Sequence, residues 1–364
     1  MNLHGPMPRS SWLFPLLAVL FFTGATILGV DFSRTLPGLV FAALLLTILF
    51  GTVFAAVHHA EVIAHEIGEP FGTLVLTMSV TIIEVALIAT IMLGEKEVPT
   101  LARDTVFAVV MIVCNALVGV CILAGGLRYR EQNFQMTGSS IYLSVLVVLA
   151  TMTLVMPNFT TAAPGPVYTV GQLTFVSLVT IALYAVFLYT QTVLHRDYFI
   201  VETDDSPDSG IPLGKKLTIN FALLVVALLA VVLLAKKFSL VVDAATEMMG
   251  APPAFAGVVV ALLILMPEGV AAISAARKND LQKSINLALG SSLATIGLTI
   301  PAVAVVAVTM GKTLVLGLSQ QDMVVLLLTI AVSMLTFSTP RTNVLFGFVH
   351  LVVFAIYLFK IFSP

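Results

Sequence analysis

The chain is a succession of apolar runs, each close to the length of a membrane helix and joined by short polar connections. In hydrocarbon a backbone has to satisfy its own N–H and C=O groups, and a helix of about 20 residues crosses the bilayer core. Eleven such runs can be marked: Trp12–Val30, Leu36–Val57, Phe71–Leu93, Leu101–Leu127, Ile141–Met156, Thr169–Val193, Leu217–Ala235, Ala254–Ala276, Ile285–Met310, Met323–Phe337 and Val344–Phe362. With 59% hydrophobic and 10% charged residues among 364, the chain has too little polar surface to cover such a core in water. The fold class is therefore all-α and polytopic, with about 11 transmembrane helices and the lipid bilayer as a partner. A net charge of −2 offers no basic footprint for nucleic acid. Trp12–Val30 lacks a small-residue cleavage site behind it and reads as a retained helix, not a signal peptide. Cys114 and Cys121 lie one heptad apart in one run, too far to bridge, and read as packing residues.

Two runs carry a single charge well inside them. Pro253–Arg277 holds Glu268, and Pro70–Glu95 holds Glu84. A carboxylate at a helix centre costs about 2.5–3.5 kcal/mol on insertion scales, so such a residue is a functional candidate. Neither has a basic side chain at the same depth of any run, so both read as acids that rest neutral and ionise when a cation arrives. Two carboxylates hold one divalent cation or two protons at similar net charge, and equally hold Na+ or K+. Thr77, Thr81 and Glu84 share one helix face at i, i+4 and i+7, which suits an ion that takes oxygen ligands; alternatively the threonines bond back to their own helix. Pro267 precedes Glu268 and removes an amide hydrogen, predicting a kink that frees the Leu263 carbonyl. Pro301 predicts the same at Gly297. Gly290, Ser291, Ser292 and Gly297 thin the intervening helix, either for a site or for close packing alone.

The two acids also expose a repeat. They differ by 268 − 84 = 184, and the same offset pairs Phe71 with Phe255 and Val75 with Val259. A charged loop and a long helix follow each, the first helix carrying Asn115 and the second Ser291, Ser292 and Thr295. Asn115 is a ligand candidate or a tie between helices. The polar, acidic stretch between His195 and Lys216 reads as a linker. The predicted organisation is an extra N-terminal helix (1–35), a five-helix repeat (36–193), an acidic cytoplasmic linker (194–216) and a second five-helix repeat (217–364). Five crossings per unit invert the second copy, an arrangement in which transporters bind substrate near the midplane. Ten of the 17 Lys and Arg residues fall on one set of loops, which favours a cytoplasmic N-terminus. His58, His59 and His65, with Glu61, Glu66 and Glu69, read as a solvated cytoplasmic helix end, or as a cation funnel whose histidines sense pH. They do not form the clustered set an iron enzyme needs, and no HExxH or GxSxG pattern occurs, so no enzyme is expected. A channel is disfavoured by the one-chain inverted repeat. Asp322 reads as the cap of the helix after it.

The runs HAEVIAHEIGEPFGTLVLTMSVTIIEVALI (His59–Ile88), PEGVAAISAARKNDLQKSINLALGSSLATIGLTIP (Pro267–Pro301) and FSTPRTNVLFGFVHLVVFAIYLF (Phe337–Phe359) resemble the cation/proton exchangers of the calcium/cation antiporter superfamily. They are most similar to its bacterial calcium (sodium, potassium)/proton antiporter subgroup. The resemblance implies Ca2+/H+ antiport, with Na+(K+)/H+ antiport at the same site as the alternative, in a bacterial inner membrane and with no cofactor. It sets the family's central glutamates on Glu84 and Glu268 as metal ligands, and its acidic cytoplasmic access positions on Glu61 and Glu69 beside His65. Its polar repeat position falls on Asn115 and Thr295, and its Gly-Ser on Gly290-Ser291. The plant and fungal Gly-Asn positions are here Val80-Thr81 and Ile264-Leu265, and their histidine is Gly269, which alters the ligand set.

Overall fold

A computed structural model of the chain describes residues 8–29, 32, 35–68, 70–94, 98–199 and 213–363. Among them are eleven helices long and apolar enough to cross a membrane. In chain order they are α1 (Arg9–Ile27), α2 (Leu36–Ile67), α3 (Phe71–Met92), α4 (Leu101–Tyr129), α5 (Met136–Phe159), α6 (Val170–Leu194), α7 (Leu213–Met248), α8 (Ala254–Arg277), α9 (Leu281–Thr309), α10 (Gln320–Phe337) and α11 (Val344–Phe362). Leu327, Leu335 and Phe359 are among many large apolar side chains left exposed, the dress of a surface that meets lipid. Residues 200–212 of the expected linker, and Glu69, lie outside the described residues.

Two helices outrun their apolar stretches. The predicted run Leu36–Val57 continues as α2 to Ile67, and Leu217–Ala235 continues as α7 to Met248, through Lys236 and Lys237. Hydropathy marks where a helix leaves hydrocarbon, not where its hydrogen bonds stop. The predicted cap also needs correction: Ser319 caps α10, its hydroxyl accepting from the Asp322 amide at 3.1 Å. Asp322 sits in the first turn, where its carboxylate takes the Ser319 hydroxyl at 2.6 Å and pairs with Lys360. Helix α8 runs unbroken through Pro267, whereas Pro301 follows a π-helical turn at Thr295–Thr299 that contains Gly297.

The chain forms two compact units, and they are not the two halves of the sequence. In the unit of residues 1–97 and 202–250, α2 packs against α1, α3 and α7. The other unit comprises residues 98–201 and 251–364. There α4 lies against α8 and α11, and α9 against α5, α6 and α8.

The second unit contains the repeat as geometry. Counting five helices on from each helix of the first repeat pairs α4 with α9 and α6 with α11. Helix α4 meets α11 where Gly119 and Gly347 face each other's carbonyl oxygens, so that an added Cβ would stand 3.0 Å away. Helix α9 meets α6 where Gly297 faces Tyr184, and an added Cβ would stand 2.8 Å from the Tyr184 Cβ. The loops obey the same rule. After α4, β1 (Glu131–Asn133) pairs antiparallel with β2 (Arg341–Asn343), which follows α10. After α5, Val167 bridges Val315, which follows α9. Helix α5 separates the loop after α4 from the loop after α5, so the two pairings lie at opposite ends of this unit. Each is the inverted copy of the other.

Close backbone approach sets a test. A Cβ on Gly257 of α8 would lie 2.7 Å from the Asp104 carbonyl carbon and from the Thr105 nitrogen, both backbone atoms of α4. Gly257→Ala should destabilise the protein by about 1–3 kcal/mol. Gly171→Ala, where nothing lies within 4 Å, should not. Thermal unfolding of the two variants in one detergent checks this.

Candidate functional site

Glu84 and Glu268 sit at matching depths in their helices. Glu84 is the fourteenth residue of α3 and Glu268 the fifteenth of α8, about 20 Å from each helix start at 1.5 Å per residue. Glu84 is 1% exposed and Thr81, one turn earlier, is also buried; Thr77 above it is half-buried. The shared face expected for these three therefore turns inward. Glu268 is half-buried. Its neighbour Gly269 lies against Leu117 of α4, two residues from Asn115.

The sequence positions divide between the two units. Glu61, His65, Thr77, Thr81 and Glu84 belong to the first, and Asn115, Glu268, Ser291, Ser292 and Thr295 to the second. No group of three or more His, Cys, Asp or Glu side chains able to hold a metal occurs among the described residues, so a cation here would draw on hydroxyls, amides and carbonyls as well as carboxylates.

The second unit breaks its helices where the polar residues are. Asn115 lies in a π-helical turn, Ile112–Leu117, and Thr295 opens the one at Thr295–Thr299. Shifting 112 by the repeat offset gives 112 + 184 = 296, within one residue of Thr295. A π-turn widens the helix by one residue and disturbs its hydrogen-bond ladder, a device common at functional sites. Sequence reasoning missed both turns, because an inserted residue leaves no change in hydropathy. Asn115 is fully buried; its amide donates to Thr329 Oγ1 at 2.9 Å, so it does tie α4 to α10, while its Oδ1 has no partner in the protein. Of the serines, the buried Ser292 donates to the Leu289 carbonyl at 2.8 Å in its own helix, and Ser291 is half-buried.

The histidine cluster differs from expectation. His58 and His59 are buried inside α2 and do not form a solvated helix end; only His65, one turn from its end, is exposed. His59 Nε2 lies 3.0 Å from the Ser11 carbonyl of α1, and Nδ1 lies 2.8 Å from the side-chain Oδ1 of Asn220 on α7. The imidazole thus joins three helices. Glu61 and Glu66 are half-buried nearby on the same helix.

The profile of the sodium/calcium exchanger protein family matches residues 37–193 and 219–362. The chain belongs to that family. It is a family of transporters, and the chain matches its profile in two stretches separated by residues 194–218. A Sinorhizobium fredii (strain NBRC 101917 / NGR234) protein named as an ionic transporter, y4hA, is 46% identical over 359 residues, covering 97% of the exchanger and 95% of its own length. The sodium-potassium/proton antiporter ChaA of Escherichia coli K12 is 40% identical over 363 residues, 98% of the exchanger and 96% of itself. Among solved structures, selenium-substituted YfkE, a Ca2+/H+ antiporter protein, superposes with a TM-score of 0.72 over 98% of the exchanger and 100% of that chain, at 16% identity. That likeness is one of fold.

The His59 bridge generates a prediction. His59→Ala leaves the Ser11 carbonyl and the Asn220 amide without the ring in a buried place, and should cost about 1–3 kcal/mol. His65→Ala, at an exposed position, should leave the melting temperature unchanged. Thermal unfolding of both variants reads the difference.

Proposed function

We propose that the chain is a secondary active antiporter that exchanges a metal cation, Ca2+ in the first reading, for H+ by alternating access. Glu84 and Glu268 hold the cation or protons in turn. The observation that carries this reading is the recurrence of one interior carboxylate at the same depth of two repeat-equivalent helices, in a family of ion exchangers. An acid in that position binds a cation only by losing its proton, so the two cargoes compete for the same oxygens. Metal binding to carboxylates releases protons for the same reason.

The neutral oxygens that complete the ligand set come from Thr77 and Thr81 on α3 in the first unit, and from Asn115 through its Oδ1 and Ser291, Ser292 and Thr295 on α9 in the second. A cation that takes six to eight oxygen ligands needs such a supply beyond two carboxylates. The extra helix (1–35) and two inverted repeats (36–193 and 217–364) joined by an acidic linker (194–216) form the working unit. Its N-terminus is cytoplasmic, in an inner membrane of bacterial type. On that orientation the end of α2 faces the cytoplasm, and Glu61, His65 and Glu69 form its cation approach.

The second reading is Na+ or K+ exchanged for H+ at the same site. It is favoured by the 40% identity, over almost the whole chain, to a protein named as a sodium-potassium/proton antiporter. Exchange driven by a pH gradient, compared for Ca2+, Na+ and K+ on one proteoliposome preparation, separates the readings. Ca2+ alone releasing protons supports the first, and Na+ or K+ alone the second.

Removing the charge tests the site itself. Glu84→Gln and Glu268→Gln should each abolish cation-driven proton release while the protein still elutes as a folded species. Full exchange by either variant rules the site out. Cation uptake that ignores a collapsed pH gradient would instead indicate a channel or uniporter.

A further inference from the structure

One buried titratable side chain takes no part in the mechanism above. His350 of α11 is fully buried, two turns into a membrane helix, where a histidine is costly and calls for an explanation. Its Nε2 lies 2.9 Å from Thr336 Oγ1 of α10, and its Nδ1 has no hydrogen-bond partner in the protein. The Cys114 carbonyl, inside the π-turn of α4, is the acceptor that faces the ring. Cys114 is itself a titratable residue of α4, and α10 carries none from Met323 to Phe337.

Helix α10 extends this pair inward. Thr329, Ser333 and Thr336, at i, i+4 and i+7, are all buried on one face. Most membrane threonines here bond to the carbonyl one turn back in their own helix, as Thr90, Thr153, Thr192 and Thr246 do. Thr329 and Thr336 do not. Thr329 Oγ1 accepts from the Asn115 amide and turns its hydroxyl to Met111 Sδ at 3.5 Å, and Thr336 engages His350. Two buried polar atoms along this line, Thr342 Oγ1 in β2 and Asn115 Oδ1 at the π-turn, have no protein partner, and His350 Nδ1 faces the Cys114 carbonyl without completing a hydrogen bond. Buried polar atoms are paired in the great majority of cases, and where protein fails to supply the partner, water does.

We infer that these residues line a hydrated proton path that runs from the β1–β2 face through His350, Thr336 and Ser333 to Thr329 and meets the cation's site at Asn115. Its occupants are water and protons. Its use in exchange rests on the antiport reading above. The hand-off balances. A proton carried by water adds to Nδ1 of a neutral ring, the Nε2 proton passes to Thr336 Oγ1, and the hydroxyl's own proton leaves to water beside Ser333. The ring ends neutral with its tautomer reversed, each oxygen has gained one proton and lost one, and reorientation of the ring resets the step. The inverted counterpart of α10 and α11 is α5 and α6, and no His, Asp, Glu, Lys or Arg occurs between Met136 and Leu194. The counterpart helices therefore offer no histidine to a relay.

Accessibility tests the water directly, without transport. In a Cys114→Ala, Cys121→Ala background in sealed vesicles, Ser333→Cys should react with an impermeant methanethiosulfonate applied from the β1–β2 face and not from the other. Leu335→Cys, 67% exposed toward lipid, should not react from either face. A Ser333→Cys as inert as Leu335→Cys overturns the path. The second arm keeps the native cysteines. Thr336→Val and His350→Gln should lose most of the maximal exchange rate with an unchanged KM for the cation, and Thr336→Ser should retain it. Wild-type rate in both variants overturns the relay. Failure of the wild type to exchange any cation for protons would instead sink the antiport reading, and the labelling arm would still decide whether the path is wet.

Discussion

Hydrocarbon offers no hydrogen bonds, and that one constraint organises the molecule. It forces the chain into helices that close their own ladders, and it makes each place where a ladder opens a place that protein or water has to complete. Four π-turns among the described residues of the second unit are such openings, and two of them, at Ile112–Leu117 and Thr295–Thr299, hold candidate ligands. These two fall within one residue of the same repeat position, and each holds a polar candidate, Asn115 or Thr295. The opening belongs to the repeat unit and the side chains that fill it are particular to each copy. Backbone geometry thus fixes where polar chemistry can stand in this bilayer fold, and side-chain identity decides what that chemistry is.

The helices were legible because apolar length is a strong signal, and all eleven predicted runs correspond to helices. Their ends were less so. Glu61 and His65 on α2, and Lys236, Lys237 and Asp243 on α7, end the hydropathy but not the helix, since none of them breaks a backbone hydrogen bond. The burial of His58 and His59 was illegible for a different reason. The groups that receive His59, the Ser11 carbonyl and the Asn220 amide, lie 48 and 161 residues away in the chain. A local reading sees two polar side chains beside a glutamate and assigns them to water.

The candidate site was legible in its acids and partly in its hydroxyls. Glu84 and Glu268 stand out because nothing else charged shares their runs, and their equal depth follows from the repeat offset. Hydroxyls carry no such mark. Ser292 bonds to its own helix, Thr329 reaches Asn115, and spacing alone distinguishes neither. What separates them is the direction each Oγ takes, and that depends on which helix is packed opposite. Thr329, Ser333 and Thr336 did carry a readable signal in their i, i+4, i+7 spacing, the same pattern that drew attention to Thr77, Thr81 and Glu84. It passed unremarked because no charged residue closes it within α10; His350 closes it from α11.

Inversion repeats the backbone without repeating the chemistry, and the two ends of the second unit show this most plainly. Where α4 and α10 begin, the closure is ionic: Arg103 holds Asp104 at 2.8 Å and gives a second hydrogen bond to the Gly317 carbonyl, while Lys360 pairs with Asp322. Where α5 and α9 begin, the inverted counterparts of those two helices, an ion pair (Arg341–Glu131) is exposed, the Asp280 carboxylate caps α9, and the part-buried closure is made of amides. Gln282 accepts from the Gln135 backbone at 2.6 Å and donates to Asn286 at 2.9 Å, and Asn286 donates to the Phe199 carbonyl. Charge pairs weaken with salt and lose their attraction when a carboxylate is protonated, whereas amide bonds are indifferent to both. Salt and acid therefore act unequally on the two ends of this unit, although the repeat makes their backbones equivalent. In this chain the difference is written in side chains at positions the repeat makes equivalent.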